Sequence, residues 1–165
     1  MLLDYSLIAT PVGDFAVAWR VDGIYRMWFV DAGGDTEVAP EGTRHDSAAF
    51  GAGEQLTAYF AGALQDFELP LRPQGTPFQL KVWQALQLLP YGTTSSYGEL
   101  AASLGCPGAA RAVGGANHNN PLPVVIPCHR VVGSDGKLGG YAGGVRFKRF
   151  LLDHELRHTF GHKGD

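Results

Sequence analysis

The segment "IPCHRVV", residues 126–132, places a cysteine, a histidine and an arginine side by side. A cysteine attacks as its thiolate, and nearby positive charges or an adjacent base favour that form. Neighbours on an extended strand point to opposite faces, so Cys128 and His129 pair directly only if the backbone turns sharply. Three prolines between residues 121 and 127 favour irregular backbone, since each fixes its own φ. The segment therefore predicts either a functional Cys–His site or a buried cysteine beside a structural histidine.

Cysteine and histidine spacing gives no sign of a metal site or a cofactor. Cys106 and Cys128 make no disulfide framework, and no CxxC or Cys/His cluster indicates zinc. His158 and His162 form a spaced pair near the C-terminus, for which a solvated tail is a better interpretation than a metal site. The glycines after residue 132 form no GxGxxG pattern. We predict no metal and no cofactor, in a protein of a reducing compartment.

Charge is divided unevenly along the chain, whose net charge is −3. Residues 1–76 carry four basic and eleven acidic side chains, whereas residues 77–165 carry nine basic and five acidic ones. Such asymmetry indicates that only the second half meets a polyanion. No stretch approaches the roughly 20 apolar residues that span a membrane, so we expect no membrane association.

The first part of the chain has the alternation of β-strands. Residues 5–30 show apolar runs interrupted at Pro11–Gly13 and Asp22–Gly23, which predicts about three antiparallel strands. A helical period follows over residues 47–62, and residues 67–77, "FELPLRPQGTP", predict a short strand and a linker. We therefore predict an N-terminal α/β domain over residues 1–73.

The second part, residues 77–165, has a helical pattern. A broad apolar face predicts a helix over residues 78–89, ended by Pro90–Gly92. Ser96 and Glu99 have the spacing of a capping box, and Gly105 ends the helix that they begin.

A further helix is predicted over residues 107–119, "PGAARAVGGANHN". With the preceding helix it forms a candidate helix-turn-helix, for which an ordinary αα-corner is the alternative. Its small residues suit close packing on a neighbouring helix or close approach to an external partner. Arg111 is its one long charged side chain.

Three motifs in order carry a resemblance to a known family. "IPCHRVVGSDGKLGGYAGG", preceded by "RAVGGANHNNP" and followed by "FLLDHE", resembles the O6-alkylguanine-DNA alkyltransferases, which repair DNA by direct reversal. The resemblance covers most of residues 77–156, while the N-terminal part resembles the family only in size and strand-rich pattern. It implies a small N-terminal antiparallel sheet-plus-helix domain, then a mainly helical, winged-helix-like domain with a helix-turn-helix that binds double-stranded DNA through the minor groove.

The resemblance also assigns roles to residues. It implies that Cys128 attacks the alkyl carbon, that His129 takes the thiol proton through a water, and that Glu155 holds the imidazole. Asn120 would brace the turn before an active-site strand. Arg111 would replace the flipped nucleotide in the base stack. Further DNA and base contacts would come from Tyr97, from the carbonyls of Cys128 and Val131, and from a pocket wall at Tyr141 and Ala142.

Each of these assignments has a plainer alternative. Tyr97 could pack on the core, Glu155 could be a solvated helix carboxylate, and Asn120 before Pro121 is a common turn former. Ala142 stands where many relatives carry serine, which leaves only the backbone amide there as a donor to O6. The zinc-binding N-terminal cysteines of some relatives are absent. Relatives that bind lesions without repairing them lack the cysteine, and Cys128 argues against that role.

The resemblance implies irreversible, stoichiometric transfer of an alkyl group from O6-alkylguanine in DNA to Cys128, with O4-alkylthymine as a second candidate substrate. We expect a monomer in the cytoplasm, or in the nucleus of a eukaryote. The alternatives from other classes are a Cys–His hydrolase or acyl transferase, and a DNA-binding module with a structural cysteine.

Overall fold

The protein forms two compact units, residues 1–74 and 75–165. The computed structural model describes residues 2–30, 42–139 and 144–162, with side chains of the last helix described to residue 159.

The first unit is built on a three-stranded antiparallel sheet with the order β1–β2–β3: β1 (Asp4–Thr10), β2 (Gly13–Arg20) and β3 (Gly23–Phe29). The central strand is fully buried from Phe15 to Ala18, because it is covered on both faces. Helix α1 (Ala52–Phe60) packs on β1 and buries Leu56 and Tyr59. The predicted three-strand sheet and its helix are therefore confirmed.

Two local predictions in this unit were wrong. The helical period over residues 47–62 includes a separate 3₁₀ turn, Ala49–Gly51, where Phe50 has φ 62° and breaks the helix before α1 begins. The short strand predicted after residue 66 is only an isolated bridge between Ile24 and Leu71. Three prolines between residues 70 and 77 explain this, since proline donates no ladder hydrogen bond.

The second unit is mainly helical: α2 (Pro77–Leu86), α3 (Tyr97–Ser103), α4 (Ala110–His118) and α5 (Val145–His162). Between them, β4 (Ser95–Ser96) and β5 (Val131–Val132) pair in parallel over two residues. A sheet-plus-helix unit followed by a mainly helical unit is the predicted α/β fold class, which is confirmed.

Helix boundaries follow the caps. The predicted Ser96–Glu99 capping box is present: Glu99 N donates to Ser96 Oγ at 3.0 Å, and Ser96 N donates to Glu99 Oε1 at 3.2 Å. Gly105, at φ 79°, lies just beyond the end of α3 as predicted.

Two helices are shorter than predicted. Helix α2 stops at Leu86, because residues 88 and 89 form the tighter i→i−3 bonds common at helix ends. Helix α4 starts at Ala110 instead of Pro107, after a turn in which Ala109 N donates to Cys106 O.

The small residues of α4 serve close packing on one face. Trp83 of α2, itself 2% exposed, donates from Nε1 to the carbonyl of Ala116 at 2.8 Å. Val113, Ala116 and Asn117 are buried, whereas Arg111, Ala112 and Gly115 are exposed. Helix α4 therefore has a core face and an open face, and the open face carries its arginine.

The capping box gives a stability prediction. Ser96→Ala removes the acceptor for Glu99 N and should lower the free energy of unfolding by about 1 kcal/mol. Ser103→Ala, at an exposed position in the last turn of the same helix, is the matched control and should change it by less than about 0.5 kcal/mol. Urea unfolding of the three proteins measures both effects. Equal losses in the two variants would contradict a specific role for the cap.

Candidate active site

Cys128 lies in a single 3₁₀ turn, Cys128–Arg130, and not on the strand that the family resemblance implied. Cys128 N donates to Ile126 O at 2.7 Å and Arg130 N donates to Pro127 O at 3.0 Å. The strand expectation is wrong because Pro127, at ψ 64°, turns the chain before the cysteine. This is the sharp bend that a functional Cys–His pair requires at this position.

The turn before the cysteine is strained and tightly held. Val124 is β-branched, 1% exposed and at φ 76°, a conformation that costs on the order of 1–3 kcal/mol. Asn120 spans this turn, since its Nδ2 donates to Ile126 O at 2.8 Å and its Oδ1 accepts from Leu122 N at 2.9 Å. These two side-chain hydrogen bonds offset part of the strain and fix the approach to Cys128.

His129 and Glu155 form a buried pair. His129 Nε2 lies 2.6 Å from Glu155 Oε2, and the two side chains are 0% and 1% exposed. A carboxylate accepts only, so Nε2 carries the hydrogen and donates it. His129 Nδ1 is then the basic nitrogen, and among the described residues it has no hydrogen-bond partner. The alternative of a solvated Glu155 does not fit this burial.

Electrostatics favour a neutral imidazole beside an ionised carboxylate. Burial lowers the pKa of His129, and Glu155 opposes that shift only in part. Burial alone would raise the pKa of Glu155, but the hydrogen bonds from His129 and Arg130 and the positive charge of Arg130 outweigh it, so this pKa lies well below its ordinary value. A neutral histidine with an open Nδ1 can accept a proton from a thiol.

Lys148 is a charged residue near this site that the sequence analysis missed. It is 0% exposed, and within the described part of the chain its Nζ has no hydrogen-bond partner. Burial lowers its pKa, whereas a thiolate at Cys128 would raise it. The signal was available, because Lys148 is three and seven residues from Leu151 and Glu155 and so shares their helix face.

Tyr97 is the first residue of α3 and is held close to this lysine. Lys148 Nζ lies 5.9 Å from the centre of the Tyr97 ring. A Cβ on Gly139 would lie 2.9 Å from the Tyr97 hydroxyl, so glycine is required there for this approach. Burial raises the pKa of Tyr97, and a thiolate at Cys128 would raise it further. Tyr97 therefore faces Lys148 and Gly139 instead of packing only on the core.

Asn117 is a second residue that was not singled out. It lies on the buried face of α4, where its Nδ2 donates to the carbonyl of Cys128 at 3.2 Å. The same carbonyl also accepts from the backbone N–H of Val131, so both of its lone pairs are used. The bond from Asn117 connects α4 directly to the backbone of the cysteine.

The remaining predicted residues lie around this cluster or outside the described ranges. Val131 is buried in β5 and pairs with Ser95. Arg111 is exposed on the open face of α4, apart from the buried cluster. Tyr141 and Ala142 lie outside the described residues.

Neither a metal cluster nor a membrane span occurs in the described part of the chain. No group of three or more histidine, cysteine, aspartate or glutamate side chains could hold a metal ion in those ranges. No helix there is both long and apolar enough to cross a bilayer.

Comparison with known proteins identifies the family over both units. The model of the 6-O-methylguanine DNA methyltransferase DNA-binding domain matches residues 77–157, and that of its ribonuclease-like domain matches residues 3–73. A methylated-DNA–protein-cysteine methyltransferase of Mycolicibacterium paratuberculosis is 46% identical over 159 residues, which cover 96% of this chain and 95% of that one.

Solved structures agree. Mycobacterium tuberculosis OGT in complex with DNA is 44% identical with a TM-score of 0.85, and 94% of each chain is covered. The O6-methylguanine-DNA methyltransferase of Pyrococcus kodakaraensis is 28% identical with a TM-score of 0.72, covering 92% of this chain and 98% of that one. The chain belongs to the 6-O-methylguanine DNA methyltransferase family. The resemblance seen in the second half is confirmed and extends to the N-terminal unit.

The bond from Asn117 gives a prediction about the nucleophile's backbone. Asn117→Ala leaves the buried Cys128 carbonyl with only the Val131 N–H as donor and should lower the free energy of unfolding by about 1 kcal/mol. It should also slow alkyl transfer to Cys128. Asn119→Ala is the control, because Asn119 is exposed and its Nδ2 bonds only Gly115 O. Chemical unfolding and single-turnover transfer rates measure both effects, and equal behaviour of the two variants would contradict the prediction.

Proposed function

We propose that this protein repairs DNA by moving the alkyl group of O6-alkylguanine irreversibly onto Cys128, once per molecule. The observation that carries this proposal is the buried Cys128–Arg130 turn, in which the neutral His129 presents a basic Nδ1 while Glu155 holds its Nε2. Relatives of 43–46% identity over most of the chain are named for this activity. O4-alkylthymine is a second candidate substrate.

The reaction needs one proton transfer and one displacement. The thiol of Cys128 gives its proton to His129 Nδ1, through a water in the mechanism that the family implies. The thiolate then attacks the alkyl carbon, an S–C bond forms, and the C–O6 bond breaks with its electron pair going to guanine. A proton then returns to the guanine, which leaves unmodified guanine in the DNA and S-alkylcysteine in the protein.

Lys148 and Tyr97 support the charged states of this reaction. An ammonium close to the sulfur favours the thiolate over the thiol. Lys148 Nζ lies 5.9 Å from the centre of the Tyr97 ring. The Tyr97 hydroxyl is a proton donor that can face the flipped base beside the nucleophile. Asn120 braces the strained turn, and the carbonyl of Val131 accepts from the guanine exocyclic amine. Tyr141 and Ala142 form the wall of the base pocket.

DNA is the partner that fits the second unit. Residues 77–165 carry a net charge of +4, and α3 and α4 form a helix-turn-helix that binds double-stranded DNA through the minor groove. Arg111 stands on the open face of α4, where it fills the stack when the damaged nucleotide is extruded at a cost of a few kcal/mol. The M. tuberculosis relative bound to DNA supports this part of the proposal.

The organisation of the chain completes the proposal. We assign residues 1–73 to an N-terminal α/β domain and residues 77–165 to the DNA-binding and transfer domain, with support from the two family matches. A monomeric state and residence in the cytoplasm, or in the nucleus of a eukaryote, stay predictions.

A hydrolase is the main competing activity, and turnover separates the two. An acyl-enzyme has an electrophilic carbonyl that water attacks, whereas an S-alkyl thioether has none. With excess methylated duplex, product formation should stop at one equivalent of active protein, with a single methyl group on Cys128 by peptide mass spectrometry. Continued product formation would favour the hydrolase.

Cys128→Ser should abolish transfer and keep salt-dependent DNA binding, because the groove contacts lie on α4. Cys106→Ser is the matched control and should transfer at close to the normal rate. Transfer assays and DNA titrations at two salt concentrations measure the two properties. A methyl group found on Cys106 would overturn the assignment of the nucleophile.

Arg111→Ala should slow transfer from duplex DNA, where extruding the base costs most. It should leave reaction with free O6-benzylguanine nearly unchanged, because no stack has to be opened. Single-turnover rates with both substrates provide the internal control. Equal loss on both would mean that Arg111 supports the fold.

A further inference from the structure

Arg130 is a buried arginine whose guanidinium is paired with Glu155, the residue that holds the imidazole of His129. It is 5% exposed, and its Nε and Nη2 donate to the two oxygens of Glu155 at 2.8 and 3.0 Å. Its Nη1 donates to Leu89 O at 2.7 Å, and its Cζ lies 5.5 Å from the centre of the Tyr91 ring. This planar fork, matched to a carboxylate, is a geometry that lysine cannot reproduce.

The carboxylate of Glu155 is saturated by four donors. Besides Arg130 Nε and Nη2, it accepts from His129 Nε2 at 2.6 Å and from Gly92 N at 3.2 Å. An ionised carboxylate has about four lone-pair sites, so none is left to take up a proton. Glu155 is therefore held as an anion and cannot be the final proton acceptor.

We propose that Arg130 is a positioning residue for alkyl transfer: by neutralising Glu155 with a two-pronged ion pair, it keeps His129 uncharged and able to accept the thiol proton. This inference rests on the proposed function, and it adds to that proposal the group that sets the charge state of the base. Arg130 acts through Glu155 and does not touch the substrate.

The charge balance of the cluster carries the argument. A buried carboxylate needs one positive partner, and a lone His–Glu pair would supply it by turning the histidine into an imidazolium. Arg130 already provides that charge. Within the described residues, the charged or titratable groups that act on His129 are Glu155 and Lys148 from α5 and Arg130 from its own turn, and of these only Glu155 favours the imidazolium. Cys128 adjoins it in the chain as the proton donor.

The turn after α2 holds the arginine and the carboxylate together. Leu89 accepts from Arg130, Gly92 donates to Glu155, and the ring of Tyr91 lies over the guanidinium. Gly92 has φ 77°, and a Cβ there would lie 2.2 Å from Thr159 Oγ1, so a larger residue would displace the turn. Burial and the charge of Glu155 raise the pKa of Tyr91 to about 12, so this ring adds no charge near neutral pH.

The test compares pH profiles of single-turnover transfer from free O6-benzylguanine, which avoids effects on DNA binding. Arg130→Met removes the charge, so Glu155 should draw a proton onto His129. The acid limb of the profile should then move to higher pH by about one unit, a tenfold loss of the neutral base at acid pH. Arg130→Lys keeps the charge but loses the fork, so its rate should fall while its acid limb stays near that of the unaltered protein.

Arg149→Met is the matched control, because Arg149 is exposed on α5 and its loss should leave the profile unchanged. A merely structural role for Arg130 predicts that Arg130→Met loses the same factor at every pH, and that result would overturn the proposal.

A second measurement covers variants that fail to fold. Nitrogen NMR of the histidine rings in the unaltered protein reads the state of His129 directly. A neutral ring protonated at Nε2 at pH 7 supports the proposal, and an imidazolium at that pH overturns it. This NMR measurement does not depend on alkyl transfer. Absence of any adduct on Cys128 would therefore count against the proposed function, whereas the NMR result alone decides the charge of His129.

Discussion

The buried carboxylate of Glu155 is the interaction on which the rest of the site depends. An ionised group with 1% exposure is tolerated only if donors replace its lost water, and here they reach the carboxylate on α5 from the turn after α2 and from the Cys128–Arg130 turn. Removing one donor would leave the others around an incompletely compensated charge. These three segments are thus fixed relative to one another by the need to compensate one buried charge. Cys128, the nucleophile, is the first residue of one of them.

Such a cluster is weak evidence for stability, because well-packed apolar side chains of similar size often stabilise a core equally well. Its value lies in specificity. A fully bonded polar network admits one arrangement of its members, and that arrangement leaves the buried Nδ1 of His129 without a hydrogen-bond partner among the described residues. Val124, held at φ 76° in the turn before Cys128, indicates the same: the strained backbone lowers stability but fixes the position of the cysteine.

Sequence patterns predicted the features that depend on residues close together in the chain. The Ser96–Glu99 spacing gave the start of α3, and the alternation over residues 5–30 gave the sheet. The family motifs pointed to Cys128, His129 and Glu155, although the motif alone did not reveal the 3₁₀ turn, which follows from the backbone set by Pro127. Periodicity also could not distinguish a solvated Glu155 from a buried one, since its partners are 25 and 26 residues away in sequence.

Lys148 and Asn117 were missed for a related reason: each is a polar residue on a helix face that otherwise packs in the core. Such a residue either lies at the edge of the apolar stripe or serves a buried site, and the sequence alone leaves both open. Once the helices are packed, the two side chains have different roles at the cysteine: one holds its backbone and the other stabilises its charge. Asn117 fixes the carbonyl of Cys128 from α4, while Lys148 acts on the sulfur from α5. Helix α4, which we propose meets DNA, and helix α5, which carries Lys148 and Glu155, therefore act on the same residue, so a disturbance of either helix reaches the nucleophile without passing through the other.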